Sequence, residues 1–225
     1  AIDDTGVVCW GSSWGGQLDM PTLSNPTQVA GGNGHTCALD DSGVVCWGAT
    51  AYDHGQADVP NLNNPTMVTA GNTFTCALDD TGVVCWGGMT EIPELKNPNF
   101  VVAGAQHVCA IDDTGVVCWG NDNSGASSSP TSSHPIHIGA GYWTTCVLDA
   151  NGVTCWGDER HGIDVPTLQN PARIESGHKH HCVLEDRGVV CWGSTRYTDN
   201  DLTVPDLMVD PDGDGVSRQG GLDAF

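Results

Sequence analysis

The sequence predicts an all-β chain folded as a β-propeller of about six short blades. Three observations carry this expectation. The tripeptide CWG recurs six times, at Cys9, Cys46, Cys85, Cys118, Cys155 and Cys191, with spacings of 37, 39, 33, 37 and 36 residues, and a near-constant period in this range marks a repeat architecture. Thirty glycines and twelve prolines in 225 residues, without helical periodicity, argue for short strands and many turns. The strand VVCW is apolar on both faces, so neighbouring repeats must cover both. A radial stack of small sheets does this with little exposed edge. An open solenoid is the other arrangement that would.

Each repeat opens on a Pro-rich turn and a short strand, as in MPTLSNPTQVAGG, VPNLNNPTMVTAGN, IPELKNPNFVVAGA and VPTLQNPARIESGH. A glycine turn then leads into a tight hairpin, HTCALDDSGVVCWG in the first full copy. The hairpin turns read DDSG, DDTG, DANG and EDRG. Glycine supplies positive φ there and Asp tolerates the bend, which is reason enough for the acidic residues.

Ten of the eleven cysteines share one offset: Cys37/Cys46, Cys76/Cys85, Cys109/Cys118, Cys146/Cys155 and Cys182/Cys191. With a two-residue turn each pair lies directly across the hairpin, within disulfide reach. A bulged turn would make the pairs diagonal. Structural zinc cysteines sit two to four residues apart, and none here do. One disulfide per hairpin is therefore expected. By the chain-entropy model each bridge contributes about 2.5 kcal/mol, and the count points to an oxidising, extracellular or cell-surface location.

Cys9 is the odd thiol. Its copy, AIDDTGVVCWG, starts mid-repeat, and STRYTDNDLTVPDLMV after the last CWG is the first half of a repeat. The N-terminal hairpin is thus expected to complete the last blade, giving a propeller over residues 1–209. A free thiol, a truncated chain and a disulfide to another chain are all open for Cys9. Residues 210–225 differ in kind. DPDGDGV spaces Asp210, Asp212 and Asp214 as the first carboxylates of an EF-hand-type calcium loop, with Gly at the sixth place. Gly221 stands where the closing Glu would be, so the segment more resembles a thrombospondin type 3 repeat, which adds Asp223 as a later ligand. Calcium is the one cofactor expected, and a solvated acidic linker to a further module is the other reading. No leader is visible at Ala1, which fits a processed or excised chain.

The formal charge is −21, which repels phosphate backbones and anionic membranes, so no nucleic-acid partner is expected. No apolar run reaches the roughly 20 residues of a membrane span. No HExxH and no phosphate-cradling glycine loop followed by Lys appears, and the chain reads as a non-enzyme.

WGSSWGGQLDMP, WGATAYDHGQADVP and AGGNGHTCALDDSGVVCWG resemble the repeats of the regulator of chromosome condensation superfamily. In period and in the GQ…VP phrase they are similar to the secreted β-lactamase inhibitory protein of the second type. That relative lacks this cysteine pattern and has seven blades. The resemblance implies a propeller over about residues 1–209, and a gripping face formed by the residues between AG and the first hairpin strand. Here these are Asn33, Gly34, His35; Asn72, Thr73, Phe74; Ala105, Gln106, His107; Tyr142, Trp143, Thr144; and His178, Lys179, His180. They vary from copy to copy while their flanks stay fixed, as recognition loops on a rigid scaffold do.

Candidate ligand-binding residues are therefore Trp14, His35, Tyr52, Phe74, His107, Tyr142, Trp143, His178 and His180, with the aromatics as anchors. Trp14 and Tyr52 come from the second variable loop, after WG. Two other roles compete for the histidines. His35, His107 and His180 can pack or hydrogen-bond inside the blades, or converge on the axis as metal ligands, and His178, His180 and His181 form a second such group. The function expected is a secreted binding or adhesion module for an extracellular protein or glycan. A self-associating subunit of an extracellular fibre or surface layer, and a secreted inhibitor, are the alternatives.

Overall fold

In the computed structural model, residues 1–3, 6–128 and 134–193 are described. They form five three-stranded antiparallel sheets and one two-stranded hairpin. The hairpin pairs β1 (Ile2–Asp3) with β2 (Gly6–Val7). Blade one is β3 (Gln28–Gly31), β4 (His35–Asp40) and β5 (Gly43–Gly48). Blade two is β6 (Met67–Ala70), β7 (Phe74–Asp79) and β8 (Gly82–Gly87). Blade three is β9 (Phe100–Ala103), β10 (His107–Asp112) and β11 (Gly115–Gly120). Blade four is β12 (Pro135–Ala140), β13 (Thr144–Asp149) and β14 (Gly152–Gly157). Blade five is β15 (Arg173–Ser176), β16 (His180–Glu185) and β17 (Gly188–Gly193). A single 3-10 turn, Glu159–His161, is the one helical element among the described residues.

The blades surround an axis. The first strand of each blade packs on that of the next, and all five line one central cavity of about 180 Å³. An open solenoid would not bring β3 and β15 to the same cavity. With the N-terminal hairpin, five complete blades make six hairpins, matching the six CWG copies. The segment expected to join that hairpin in the last blade, the boundary near residue 209, and Asp210, Asp212, Asp214 and Asp223 all lie outside the described residues.

The hairpins close on two-residue turns, with Asp40 opposite Gly43 and Cys37 directly opposite Cys46. All five cysteine pairs are disulfide-bonded, at Cα separations of 4.0 to 4.1 Å. Cys9 is the one free cysteine. Register places its cross-strand position one residue ahead of Ala1, which itself pairs with Val8. The strand sealed on both faces is the middle one: every residue of β7 and β10 is buried, while VVCW of the outer strand is mostly half-buried.

The acidic turns do more than bend. Asn25, Asn64, Asn97 and Asn170, each before a proline, adopt φ of 50°. Asn tolerates this left-handed region better than most residues. The side-chain amides of Asn25, Asn64 and Asn97 donate to Asp41, Asp80 and Asp113 at 2.5 to 2.6 Å, and Asn170 donates likewise to Asp186. One residue earlier, the backbone amides of Ser24, Asn63, Lys96 and Gln169 donate to Asp40, Asp79, Asp112 and Glu185. The Ser24 amide and then the Ser42 hydroxyl hold the Asp40 carboxyl below its ordinary pKa. Each turn thus clasps the segment that leads into its own blade. Blade four has Ala150 in place of the second Asp, and no Asn-Pro precedes β12. The Asn–Asp half of the clasp is lost on both sides together.

The CWG tryptophans anchor the loop before their blade. The indole N–H of Trp47, Trp86, Trp156 and Trp192 donates to the carbonyl of Gln17, Gln56, Ala126 and Gly162 at 2.8 to 3.0 Å. Thr36, Thr75 and Thr145 donate to the carbonyls of Gln17, Gln56 and Ala126. Blade three follows the shortest spacing, 33 residues, and its leading loop has no GQ phrase. There Trp119 Nε1 is buried without a partner, and Val108 stands where blades one, two and four have Thr.

An indole with an acceptor contributes about 1 kcal/mol net, whereas an unpaired buried donor is itself a cost. Trp86→Phe is therefore expected to destabilise the protein by about 1 kcal/mol more than Trp119→Phe. Chemical denaturation of the two variants with intact disulfides measures the difference; equal losses would dismiss the anchor.

Candidate functional site

The end of the ring that carries the loops between the first and second strands of each blade is built from the variable triplets. The three positions of a triplet have three different surroundings. The first lines a cavity of about 450 Å³ at the mouth of the axis: Asn33, Asn72, Ala105, Tyr142 and His178. Backbone hydrogen bonds stitch the rim, from Asn33 to Gly71, from Asn72 to Ala105 and from Ala105 to Gly141. The preceding glycine allows this approach. A Cβ on Gly104 would stand 2.4 Å from the Gly141 carbonyl oxygen and 2.3 Å from the His107 ring.

The second position of the first four triplets offers its carbonyl to the chain leaving the outer strand: Gly34 to Ala49, Thr73 to Gly88, Gln106 to Asn121 and Trp143 to Asp158.

The third position turns into the junction with the next blade and meets the second residue of that blade's middle strand. His35 Nε2 lies 2.9 Å from Thr75 Oγ1. Phe74 and Val108 share one apolar cluster. His107 Nε2 lies 2.7 Å from Thr145 Oγ1. Thr144 Oγ1 lies 3.2 Å from His181 Nε2. Polar meets polar and apolar meets apolar at every one of these junctions. His35, Phe74 and His107 are 1%, 2% and 1% exposed, so they present no surface to a ligand. Of the roles weighed for the two histidines, packing and hydrogen bonding inside the ring is the one their position serves. His180 is half-buried, its ring over Gly177.

The ring does not gather the histidines into a metal centre. Among the described residues, the one group of three His, Cys or acidic side chains with ligand atoms within 4.8 Å is Cys146, Cys155 and His181, and its two sulfurs are bonded to each other. Burial lowers His35, His107, His137 and His181 to pKa values of about 4, so all four are neutral at pH 7.

Three rings meet at the mouth, the half-buried Tyr142 and Trp143 and the exposed His178. The Tyr142 ring packs 4.6 Å from Trp143, edge to face, and 4.3 Å from the exposed His178. Asn72, two blades away, donates to the Tyr142 hydroxyl at 3.4 Å. Trp14 and Tyr52 form a second exposed pair at 5.7 Å, with Trp14 seated on Gly34 at the same end. Of the nine predicted ligand residues, the structure brings Tyr142, Trp143 and His178 together. Trp14 and Tyr52 stand as a separate pair. Sequence reasoning missed Asn72 as the strut for Tyr142, and the role of His181. The signal for His181 was its place in the column that holds Thr36, Thr75 and Thr145 in blades one, two and four and Val108 in blade three.

The repeat model of the regulator of chromosome condensation (RCC1) family matches residues 100–126 and 136–163, within blades three and four and the loops around them. A comparison with curated protein sequences finds no match. Among solved structures, the chain is similar to the CRINKLY WD40 ectodomain of the Arabidopsis thaliana receptor kinase ACR4, with a TM-score of 0.61 at 26% identity, over 77% of this chain and 74% of that one. It is similar to the ectodomain of the Physcomitrella patens receptor kinase CR4, with a TM-score of 0.61 at 25% identity, over 76% of this chain and 54% of that one. The likeness to yeast RCC1 (Prp20), with a TM-score of 0.62 at 16% identity over 75% of this chain and 56% of that one, is one of fold. The chain thus spans little more than half of the moss and yeast proteins.

Two outcomes follow from the junction pairs. His107→Phe alone is expected to cost about 1–3 kcal/mol by leaving the Thr145 hydroxyl facing a ring. Adding Thr145→Val, which copies Phe74 with Val108, is expected to recover most of it, and a double-mutant cycle reads the coupling. The second outcome concerns pH. The histidines bind protons near 6.5 when unfolded but only near 4 when folded, so the unfolded state takes up more protons between those values. Melting temperature should fall as pH drops from about 6.5 to about 4, and the His107→Phe/Thr145→Val protein should show the shallower fall.

Proposed function

We propose that this chain is the binding module of an extracellular protein, and that it holds its partner at the mouth of the propeller axis with Tyr142, Trp143 and His178. The observation that carries this reading is that the rings of Tyr142 and His178, from two blades, meet in the lining of the 450 Å³ cavity, with Trp143 packed on Tyr142 beside it. Aromatic side chains offer large contact area for little conformational entropy, which is why they dominate energetic hot spots. Here the rings are braced by Asn72 and by a rim of backbone hydrogen bonds, so the surface is ordered before a partner arrives and binding costs less entropy.

Two further facts support an extracellular setting. Five disulfides among the described residues suit an oxidising compartment. The two receptor-kinase structures to which the chain is similar are ectodomains. The partner is an extracellular protein or a glycan, and the charge of −21 disfavours strongly anionic ones. The inhibitor reading rests on repeat style alone, and calcium in the tail on the spacing of its aspartates.

The test is a tetramerised form of the chain applied to a glycan array and to intact cells with and without surface proteolysis. The native chain is expected to bind one of these surfaces. Tyr142→Ala and Trp143→Ala should each weaken that binding about tenfold or more, while Trp14→Ala and Tyr52→Ala leave it within about twofold. Undiminished binding by both mouth variants would show that another surface makes the contact.

A further inference from the structure

The histidine–threonine junctions do not all run the same way. In two of them the earlier blade supplies His and the later blade Thr: His35 with Thr75 and His107 with Thr145. Between blades four and five the order is reversed, Thr144 with His181. At the first and at the reversed junction the later residue also lies against the disulfide of the earlier blade. At the first junction a hydroxyl faces the sulfur, with Thr75 Oγ1 3.8 Å from Cys37 Sγ. At the reversed junction an imidazole does, with His181 Nδ1 3.3 Å from Cys146 Sγ and 2.7 Å from Ser176 Oγ. His181 and Cys146 are both 0% exposed. Cys155 is half-buried, as are Cys46, Cys118 and Cys191, so access does not distinguish this bridge from most of its copies. The imidazole does.

We propose that Cys146–Cys155 is a redox-addressable bridge, opened by dithiol reductants ahead of the other four because His181 stabilises the departing sulfur. A thiolate of the reductant attacks Sγ of Cys155, the reachable sulfur. The Cys155–Cys146 bond breaks, and Cys146 leaves as a thiolate beside the His181 ring. The second thiol of the reductant, as its thiolate, then attacks its own sulfur in the mixed disulfide and releases Cys155. Both cysteines end as thiols with the two protons the dithiol brought, and the reductant ends as its own disulfide. The bridge gains two electrons and the dithiol loses two. Exchange speeds up as the leaving thiol becomes less basic, and the neutral His181 ring, in the tautomer that carries its proton on Nδ1, donates to the departing sulfur and stabilises its thiolate. Direct attack on Cys146 is blocked by its burial, so the step has one direction. His181 is a positioning residue here: it acts on the sulfur and touches no reductant.

The test uses the whole chain. It is treated with graded dithiothreitol, quenched with N-ethylmaleimide and mapped by peptide mass. The label should appear first on Cys146 and Cys155, about tenfold sooner than on the other pairs. With glutathione as a trap, the mixed disulfide should form on Cys155 rather than Cys146. Exchanging the pair, Thr144→His with His181→Thr, restores the order of His35 and Thr75 and puts a hydroxyl on the sulfur. This variant should melt near the native temperature yet open its five bridges together. His181→Gln, which keeps a hydrogen bond to Thr144, should lose the preference as well and guards against failure of the exchange to fold. Another bridge opening first, glutathione on Cys146, or a preference that survives either substitution would overturn the proposal.

Discussion

The ring depends on how closely two blades can approach. At each junction the chain turns through a glycine at the end of the first strand, because the carbonyl of the next blade's glycine occupies the space a Cβ would need. Gly32, Gly71, Gly104 and Gly141 each face such an oxygen at 2.4 to 2.9 Å from where that Cβ would be. Once the backbones are this close, the side chains just beyond them are sealed from water and must satisfy one another. That is why His35 finds Thr75, Phe74 finds Val108 and His107 finds Thr145. Blades this small own little core, and the shared junction supplies it. The disulfide does complementary work: it fixes the middle strand to the outer one, so that the face offered to the neighbour keeps its shape.

Much of this was legible because it is local. The hairpin, its two-residue turn and the cysteine pairing involve residues nine apart, and five repetitions of one offset leave little freedom in reading them. The triplets were harder. Their variation from copy to copy suggests recognition, and for Tyr142, Trp143 and His178 the structure packs the three rings together at one end of the ring. For His35, Phe74 and His107 the same variation has another cause. Each is matched to a residue 34 to 40 positions later. That match appears in sequence only when the third residue of one repeat is read against the fourth residue of the next. The acidic turns were underread in the same way: Asp41 looks sufficient as a turn former until Asn25, 16 residues earlier, is seen to donate to it.

Departures from the repeat proved as informative as the repeat. The short third spacing, the missing GQ phrase, Val108 for Thr and the unpartnered Trp119 indole are one event seen four times. Ala150 and the absent Asn-Pro before β12 are another. Where a chain contains its own copies, a lost interaction shows at both of its ends, and the two ends identify each other without any second sequence.

The junction pairs also bear on how such a gene can change length. Unequal crossing-over between near-identical DNA segments adds or removes whole repeats. Excising blade two would set His35 against Val108, and excising blade three would set Phe74 against Thr145, a buried mismatch in each case. Excising both would set His35 against Thr145, a pair the chain already uses at His107. This stretch of the ring therefore tolerates copy-number change in steps of two more readily than in steps of one.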